Sequence, residues 1–207
     1  MERKVGVNIA VMASGRGTNF AAIIRAVKQG KIKANLALLV SDQPGAGAIA
    51  KAKRANVKVA LVKRGDFAGK KEFEARIIQH LEENKIGLIV MAGFMRMLSP
   101  GFVRRFKNKI LNIHPALLPS FKGAHAIKDA FEYGVKATGV TVHFVDEEMD
   151  HGPIILQCPL EIKEDDSLES LEAKIHKIEH RLYPQAIRLF VEGRLKIFKR
   201  KVKIASR

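Results

Sequence analysis

The chain is 207 residues long with 47% hydrophobic and 28% charged residues, enough for one sizeable domain with its own core. That composition excludes a disordered, collagen-like or disulfide-scaffold protein. Its 37 Lys and Arg against 21 Asp and Glu give a formal charge of +16, a balance that attracts phosphates and other polyanions.

The near-continuous apolar run over residues 5–13 reads as a buried strand, followed by a helix over 18–28 with Ala22, Ile23, Ala26 and Val27 at helical spacing. Glu2, Arg3 and Lys4 ahead of that run imitate a short signal peptide, but Asn8 interrupts it and a polar loop follows. No stretch approaches the roughly 18 apolar residues of a membrane span, so a cytoplasmic location is expected. Strand and helix then alternate: 36–40 and 46–55, 57–62 and 70–83, 86–91 and 99–105. Buried strands alternating with helices imply βαβ units and a parallel sheet covered on both faces.

Residues 109–113 supply a fifth strand, stopped by Pro115, and residues 116–123 carry Pro119 and Gly123 and read as irregular loop. A short helix is expected at 126–133, then strands at 139–145 and 154–162 joined by a polar loop, which makes the sheet mixed. The last helix is expected to open at Asp166 with Glu169 three residues later, a capping-box arrangement, and to pack through one apolar stripe of Leu168, Leu171, Ile175, Ile178 and Leu182. Pro184 is expected to kink or break it, Gly193 to cap it, and the basic residues from Lys199 to form a ragged tail. Cys158, the single cysteine, is read as a core residue.

Ser14-Gly15-Arg16-Gly17-Thr18-Asn19 lies between a strand and a helix, where glycines allow close backbone approach and the helix N-terminus offers N–H groups to an anion. Phe20 stands where a dinucleotide fingerprint needs its third glycine, and no Gly-Lys-Ser/Thr follows, so a monophosphate fits better than a nucleotide cofactor. In Leu111-Asn112-Ile113-His114-Pro115, Asn112 and His114 are two apart on a strand and project to one face. The loop Asp146-Glu147-Glu148-Met149-Asp150-His151-Gly152-Pro153 clusters carboxylates in a basic chain. A carboxylate delivered beside His114 would orient the ring and raise its pKa.

These segments, with Met91 to Leu98 and Thr138 to His143, occur in an order that resembles the phosphoribosylglycinamide formyltransferases over residues 7–198. The resemblance implies a single catalytic domain over 1–207, ending in a basic tail from about 199, with a mostly parallel, Rossmann-like mixed sheet, helices on both faces and a long C-terminal helix. It implies transfer of the formyl group of 10-formyltetrahydrofolate to the amine of 5'-phosphoribosylglycinamide in purine biosynthesis, with folate as co-substrate and no metal. By position, Asn112, His114 and Asp150 match the catalytic residues. Gly17, Thr18, Asn19, His176, Lys177, Ile178 and Glu179 match the ribonucleotide-binding positions. Lys70, Met95, Arg96, Met97, Leu98, Asn112, Asp146, Glu147, Glu148, Met149 and Asp150 match the folate-binding positions. Lys70 departs from the arginine frequent in the family, keeping the charge but losing the bidentate fork. His125 and His143 are read as supporting or structural.

Two relatives share the catalytic pair. Methionyl-tRNA formyltransferase normally carries a further C-terminal domain, whereas only residues 194–207 follow Gly193, and formyltetrahydrofolate hydrolase normally carries a domain ahead of the catalytic one. A basic nucleic-acid-binding module explains the charge but leaves Asn112, His114 and Asp150 without a role, and the scattered charges, two Tyr and no Trp argue against it. Small-molecule substrates, with no nucleic acid and no membrane, are the expected partners, and a homodimer is compatible with them.

Overall fold

The computed structural model describes residues 6–206. Val5, where the first strand is expected to open, and the Glu2-Arg3-Lys4 segment lie outside the described residues. Among those described the fold is α/β, and it divides into two compact units, one ending at Ile110 and the other starting at Leu111.

The first unit runs β1 (Asn8–Met12), α1 (Thr18–Lys28), β2 (Asn35–Ser41), α2 (Gly47–Arg54), β3 (Lys58–Leu61), α3 (Lys70–Glu83), β4 (Leu88–Met91), α4 (Pro100–Arg105). Its strands lie in the order β3-β2-β1-β4 and the pairs β1/β2, β1/β4 and β2/β3 are parallel. All of β4 and the last four residues of β1 are buried, so residues of both alternating sets are covered, as a parallel sheet requires. The chain steps outward from β1 to β3 and returns on the other side with β4. The loops leaving the C-terminal ends of β1 and β4 therefore flank the point where strand order reverses, the usual ligand crevice of such sheets.

The second unit contains β5 (Ile110–His114, whose first residue closes the first unit), α5 (Ala126–Tyr133), β6 (Ala137–Phe144), β7 (Ile154–Glu161), α6 (Leu168–Val191), β8 (Leu195–Phe198) and β9 (Lys201–Ile204). The order is β5-β6-β7-β9-β8, with β5/β6, β6/β7 and β8/β9 antiparallel and β7/β9 parallel. The mixed character of the sheet resides here.

Several expectations are corrected. Helix α6 starts after Ser167, whose hydroxyl accepts from the Ser170 N–H, so the cap is Ser167 and Ser170 rather than Asp166 and Glu169. Asp166 instead accepts from Lys174 and Ser170, which hold its carboxyl well below the usual range. Pro184 does not end the helix, which runs unbroken from Leu168 to Val191. Proline inside a helix costs about 3 kcal/mol, and the buried side chains on both sides of it, Leu182, Tyr183, Ala186 and Ile187, offset that cost. Tyr183 also donates its hydroxyl to the Leu111 carbonyl at 2.9 Å. Gly193 does close the helix, one residue beyond the C-cap Glu192, with φ 68°. The tail is not ragged: Lys201–Ile204 pairs with β8 and, through Lys201, with Ile154 of β7. Cys158 is half-buried and accepts a contact from Arg181 at 3.4 Å, because it stands on the partly open face of β7.

Candidate active site

The register of β5 and β6 sets Asn112 opposite His143 and His114 opposite Thr141. Directly opposed residues in adjacent strands share a face, and alternation along each strand sends all four polar side chains to the same side. Leu111 and Ile113 point the other way, into apolar packing. Asp150 reaches this face from the loop between β6 and β7, with a φ of 48° that is uncommon outside glycine but tolerated by Asp. Two residues on, a Cβ at Gly152 would lie 1.9 Å from the Phe144 carbonyl oxygen, so only glycine lets the loop turn back into β7.

His114 is 3% exposed and both its ring nitrogens face acceptors: Nε2 lies 2.7 Å from the Phe121 carbonyl and Nδ1 3.3 Å from Asp150 Oδ2. Burial lowers its pKa below the ordinary histidine value, and Asp150, the Phe121 carbonyl and Glu179 offset only part of that. The expectation that the neighbouring carboxylate raises this pKa is thus corrected: Asp150 acts in that direction, but desolvation of the ring is the larger effect. Burial likewise pushes Asp150 up, but the His143 ring, the Gly123 N–H and His114 outweigh it and hold the carboxyl below its usual value. The Gly123 N–H donates to Oδ2 at 2.9 Å and the Asn112 amide to Oδ1 at 3.4 Å.

His143 donates from Nδ1 to the Phe144 carbonyl at 2.8 Å. In the neutral ring Nε2 is then an acceptor for the Asn112 amide at 3.3 Å; protonated, it turns an N–H towards Asp150 Oδ1 at 3.7 Å. Sequence reasoning read this residue as supporting or structural but missed its partners. The signal was available in the Thr141-x-His143 alternation, but only the antiparallel register shows that it meets Asn112. The Phe121 carbonyl was missed altogether, since no side-chain chemistry announces a backbone acceptor.

The loop after His114 is pinned from beneath. Thr141 Oγ1 donates to the Ala116 carbonyl at 2.7 Å and accepts from the Leu118 N–H at 3.1 Å, and Gln157 donates to the Leu118 carbonyl at 3.0 Å. Gly139 admits Leu117 and the Cys158 carbonyl where a Cβ would meet them at 2.7 and 2.3 Å. On α6, Glu179 is buried and pairs with His176 at 2.9 Å, while Lys177 is exposed and Ile178 half-buried. The structure therefore associates Glu179 electrostatically with His114 and sets Lys177 apart from that pair.

In the first unit, Gly17 is the N-cap of α1, with φ 71° and no side chain to occupy the helix end. A Cβ there would lie 2.8 Å from Ala48, so the position is closed to larger residues. The first-turn N–H groups of a helix have no intrahelical acceptor and suit an anion. This loop is coupled to the segment after β4. The Ser14 N–H donates to the Gly93 carbonyl, the Ser14 hydroxyl accepts from the Met95 N–H at 3.2 Å and donates to Asp42 at 2.6 Å, and Arg96 binds the same carboxylate at 2.6 Å. Met95 and Met97 are exposed and Leu98 is buried. Arg96 also lies 5.6 Å above the Phe73 ring, so its guanidinium, on a half-exposed side chain, is engaged by both Asp42 and Phe73. Lys70 is half-exposed, 4.0 Å from Glu74, and Glu147, Glu148 and Met149 are exposed.

Residues 7–187 match the formyl transferase family. The phosphoribosylglycinamide formyltransferase of Bacillus subtilis is 44% identical over 179 residues, covering 86% of this chain and 92% of that one. The chicken trifunctional purine biosynthetic protein adenosine-3 is 42% identical over 92% of this chain, which spans only 19% of that protein. Among solved structures, glycinamide ribonucleotide transformylase 1 from Symbiobacterium toebii superposes with a TM-score of 0.95 at 40% identity, covering 99% of this chain and 96% of that one.

Proposed function

This chain belongs to the formyl transferase family, and we propose that it transfers the formyl group of 10-formyltetrahydrofolate to the amine of 5'-phosphoribosylglycinamide, a step of purine biosynthesis. The observation that carries the proposal is the buried Asp150–His114 pair with Asn112 beside it, in a chain that matches a phosphoribosylglycinamide formyltransferase over nearly its whole length. The family match runs without interruption through both units, which supports reading them as one catalytic domain.

In this reading the amine attacks the formyl carbon to give a tetrahedral intermediate, and collapse of that intermediate breaks the bond to the folate nitrogen. One proton leaves the attacking amine and one arrives at the folate nitrogen, relayed through water beside Asp150. The tetrahedral intermediate carries an oxyanion, and the Asn112 amide and the His114 ring are the donors to it. One such donor is worth about 2.7–4 kcal/mol of barrier. Both are engaged within the protein before substrate arrives, His114 with Phe121 and Asp150, Asn112 with His143 and Asp150. The developing negative charge competes for those N–H groups and favours the imidazolium that burial disfavours, while Asp150 balances its charge.

Gly17, Thr18 and Asn19 take the phosphate of the ribonucleotide, with His176, Lys177, Ile178 and Glu179 on its other contacts. Met95, Arg96, Met97, Leu98, Lys70 and the loop of Asp146, Glu147, Glu148, Met149 and Asp150 serve the folate, as does Asn112. Because Arg96 is bound to Asp42, its contribution is the backbone it holds in place. We place the reaction in the cytoplasm, with no nucleic acid among the substrates. Among the described residues no helix is long and apolar enough to cross a membrane.

The test offers the purified chain 10-formyltetrahydrofolate with three acceptors in parallel: phosphoribosylglycinamide, charged methionyl-tRNA, and water alone. Formylated ribonucleotide as the dominant product supports the proposal. Formyl-methionyl-tRNA, or free formate with no ribonucleotide product, would replace it with a related activity.

A further inference from the structure

We infer that Arg200, in the turn of the C-terminal β8–β9 hairpin, is a positioning residue for the loop that carries Asp150, which makes this hairpin a working part of the catalytic centre. The inference rests on the role given to Asp150 above. The hairpin lies beyond residue 187, where the family match ends, so nothing in that match assigns it a task.

Its placement is fixed by Lys201, which pairs with Ile154, the first residue of β7 after the loop. Lys199, at φ 54°, turns the chain so that the next side chain reaches the loop. Arg200 Nη2 donates to the His151 carbonyl at 2.6 Å, and Nη1 lies 2.8 Å from His151 Nε2 and 3.2 Å from Nδ1. A guanidinium only donates, so Nε2 is the acceptor and Nδ1 keeps its proton, aimed at Asp146 Oδ2 at 2.8 Å. Asp146 Oδ1 in turn accepts from the Glu148 N–H at 3.1 Å. One imidazole thus ties the start of the loop to its end, and Arg200 holds that imidazole by ring and backbone together. Between the two ties sits Asp150, in a left-handed conformation that Asp tolerates and that the surroundings constrain it to hold. Gly152 against Phe144 supplies one such constraint and the Arg200–His151–Asp146 chain supplies the other. The rigid planar fork of arginine is pre-organised to hold carbonyl and ring at once, which lysine's single nitrogen does less well.

These contacts are solvent-exposed, and exposed contacts contribute little to stability. A purely structural role would therefore leave almost no trace in R200A, whereas a positioning role appears at His114, which faces Asp150, Glu179 and His143. The experiment is a titration of the histidine ring nitrogens by NMR in the full chain, for wild type, R200A and R200K, with thermal melts and formyl-transfer kinetics on the same samples. In R200A the melting temperature stays near that of wild type, the His114 ring titrates at a lower pH because Asp150 is no longer held against it, and kcat falls roughly tenfold, within the ~10²-fold that a 1 Å misplacement can cost. R200K recovers part of both. A His114 titration unchanged in R200A overturns the inference whatever the rate does. If R200A does not fold, R200Q replaces it in the titration, and an unchanged His114 curve there overturns the inference equally. If wild type moves no formyl group, the proposed function fails, while the titration still decides the role of Arg200.

Discussion

Asp150 Oδ2 stands 3.3 Å from Nδ1 of His114, while the opposite nitrogen of that ring is held 2.7 Å from the Phe121 carbonyl. A buried imidazole with an acceptor at each end is shaped for the doubly protonated form, yet burial keeps its pKa low. The ring is thus ready to be charged by whatever negative charge the reaction places beside it.

Replacing Asp150 by Asn removes the largest influence that raises the His114 pKa. The His114 ring then titrates at a lower pH than in wild type, which NMR of the ring nitrogens measures. Formyl transfer falls by about 10²–10⁴-fold, the range for loss of an acid–base group. An upward movement of the His114 titration would contradict this account of the pair.

Stability should fall on acidification in two windows. The folded pKa of His114 lies below the unfolded value of 6.5, so the unfolded chain takes up that proton first. This contribution is intact above that pH and is lost as pH falls below it towards the folded value. The pKa of Asp150 is also depressed, so its contribution is present above 3.8 and is lost below that. Urea midpoints measured against pH check both, and in D150N the lower window loses its Asp150 component.

Gly152→Ala introduces a Cβ 1.9 Å from the Phe144 carbonyl, an atom that cannot step aside without moving β6. Overpacking of this kind costs about 1–3 kcal/mol, and the Asp150 loop shifts with it, so activity falls too. Gly65→Ala, where a Cβ meets nothing within 4 Å, is the control and stays within about 0.5 kcal/mol of wild type. Urea denaturation of the two variants makes the comparison.

Arg96→Ala leaves Asp42, whose side chain is 2% exposed, with its Ser14 and Gln43 partners among the described residues. An incompletely satisfied buried acceptor costs about 1–3 kcal/mol, and the tie between the loops after β1 and β4 slackens. Equilibrium unfolding reads the first effect. The second appears as weaker binding of the folate and of the ribonucleotide, measured separately by calorimetry.

Much of this was legible from residue order. The helices over 70–83 and 126–133 were bounded correctly because Gly69 and Gly134 flank regular apolar patterns. Asn112, His114 and Asp150 stood out because polar groups interrupt apolar strands or gather in a short acidic loop. What escaped depended on partners distant in sequence. The role of His143 follows from a register with β5, that of Asp42 from loops many residues away on either side, and the order of residues 201–204 from pairing with β8 and β7. The continuity of α6 through Pro184 follows from burial on both sides, which local propensity does not weigh. The direction of the His114 shift required knowing that the ring is almost completely removed from water.

The most direct test of the central claim is the single-turnover rate of formyl transfer to phosphoribosylglycinamide in His114→Ala, with folate affinity measured on the same protein. The account predicts a fall of at least about 10²-fold in rate, with the fold and the folate affinity retained. A rate within a few-fold of wild type would remove His114 from the chemistry and with it the assignment of the Asn112, His114 and Asp150 cluster as the catalytic centre.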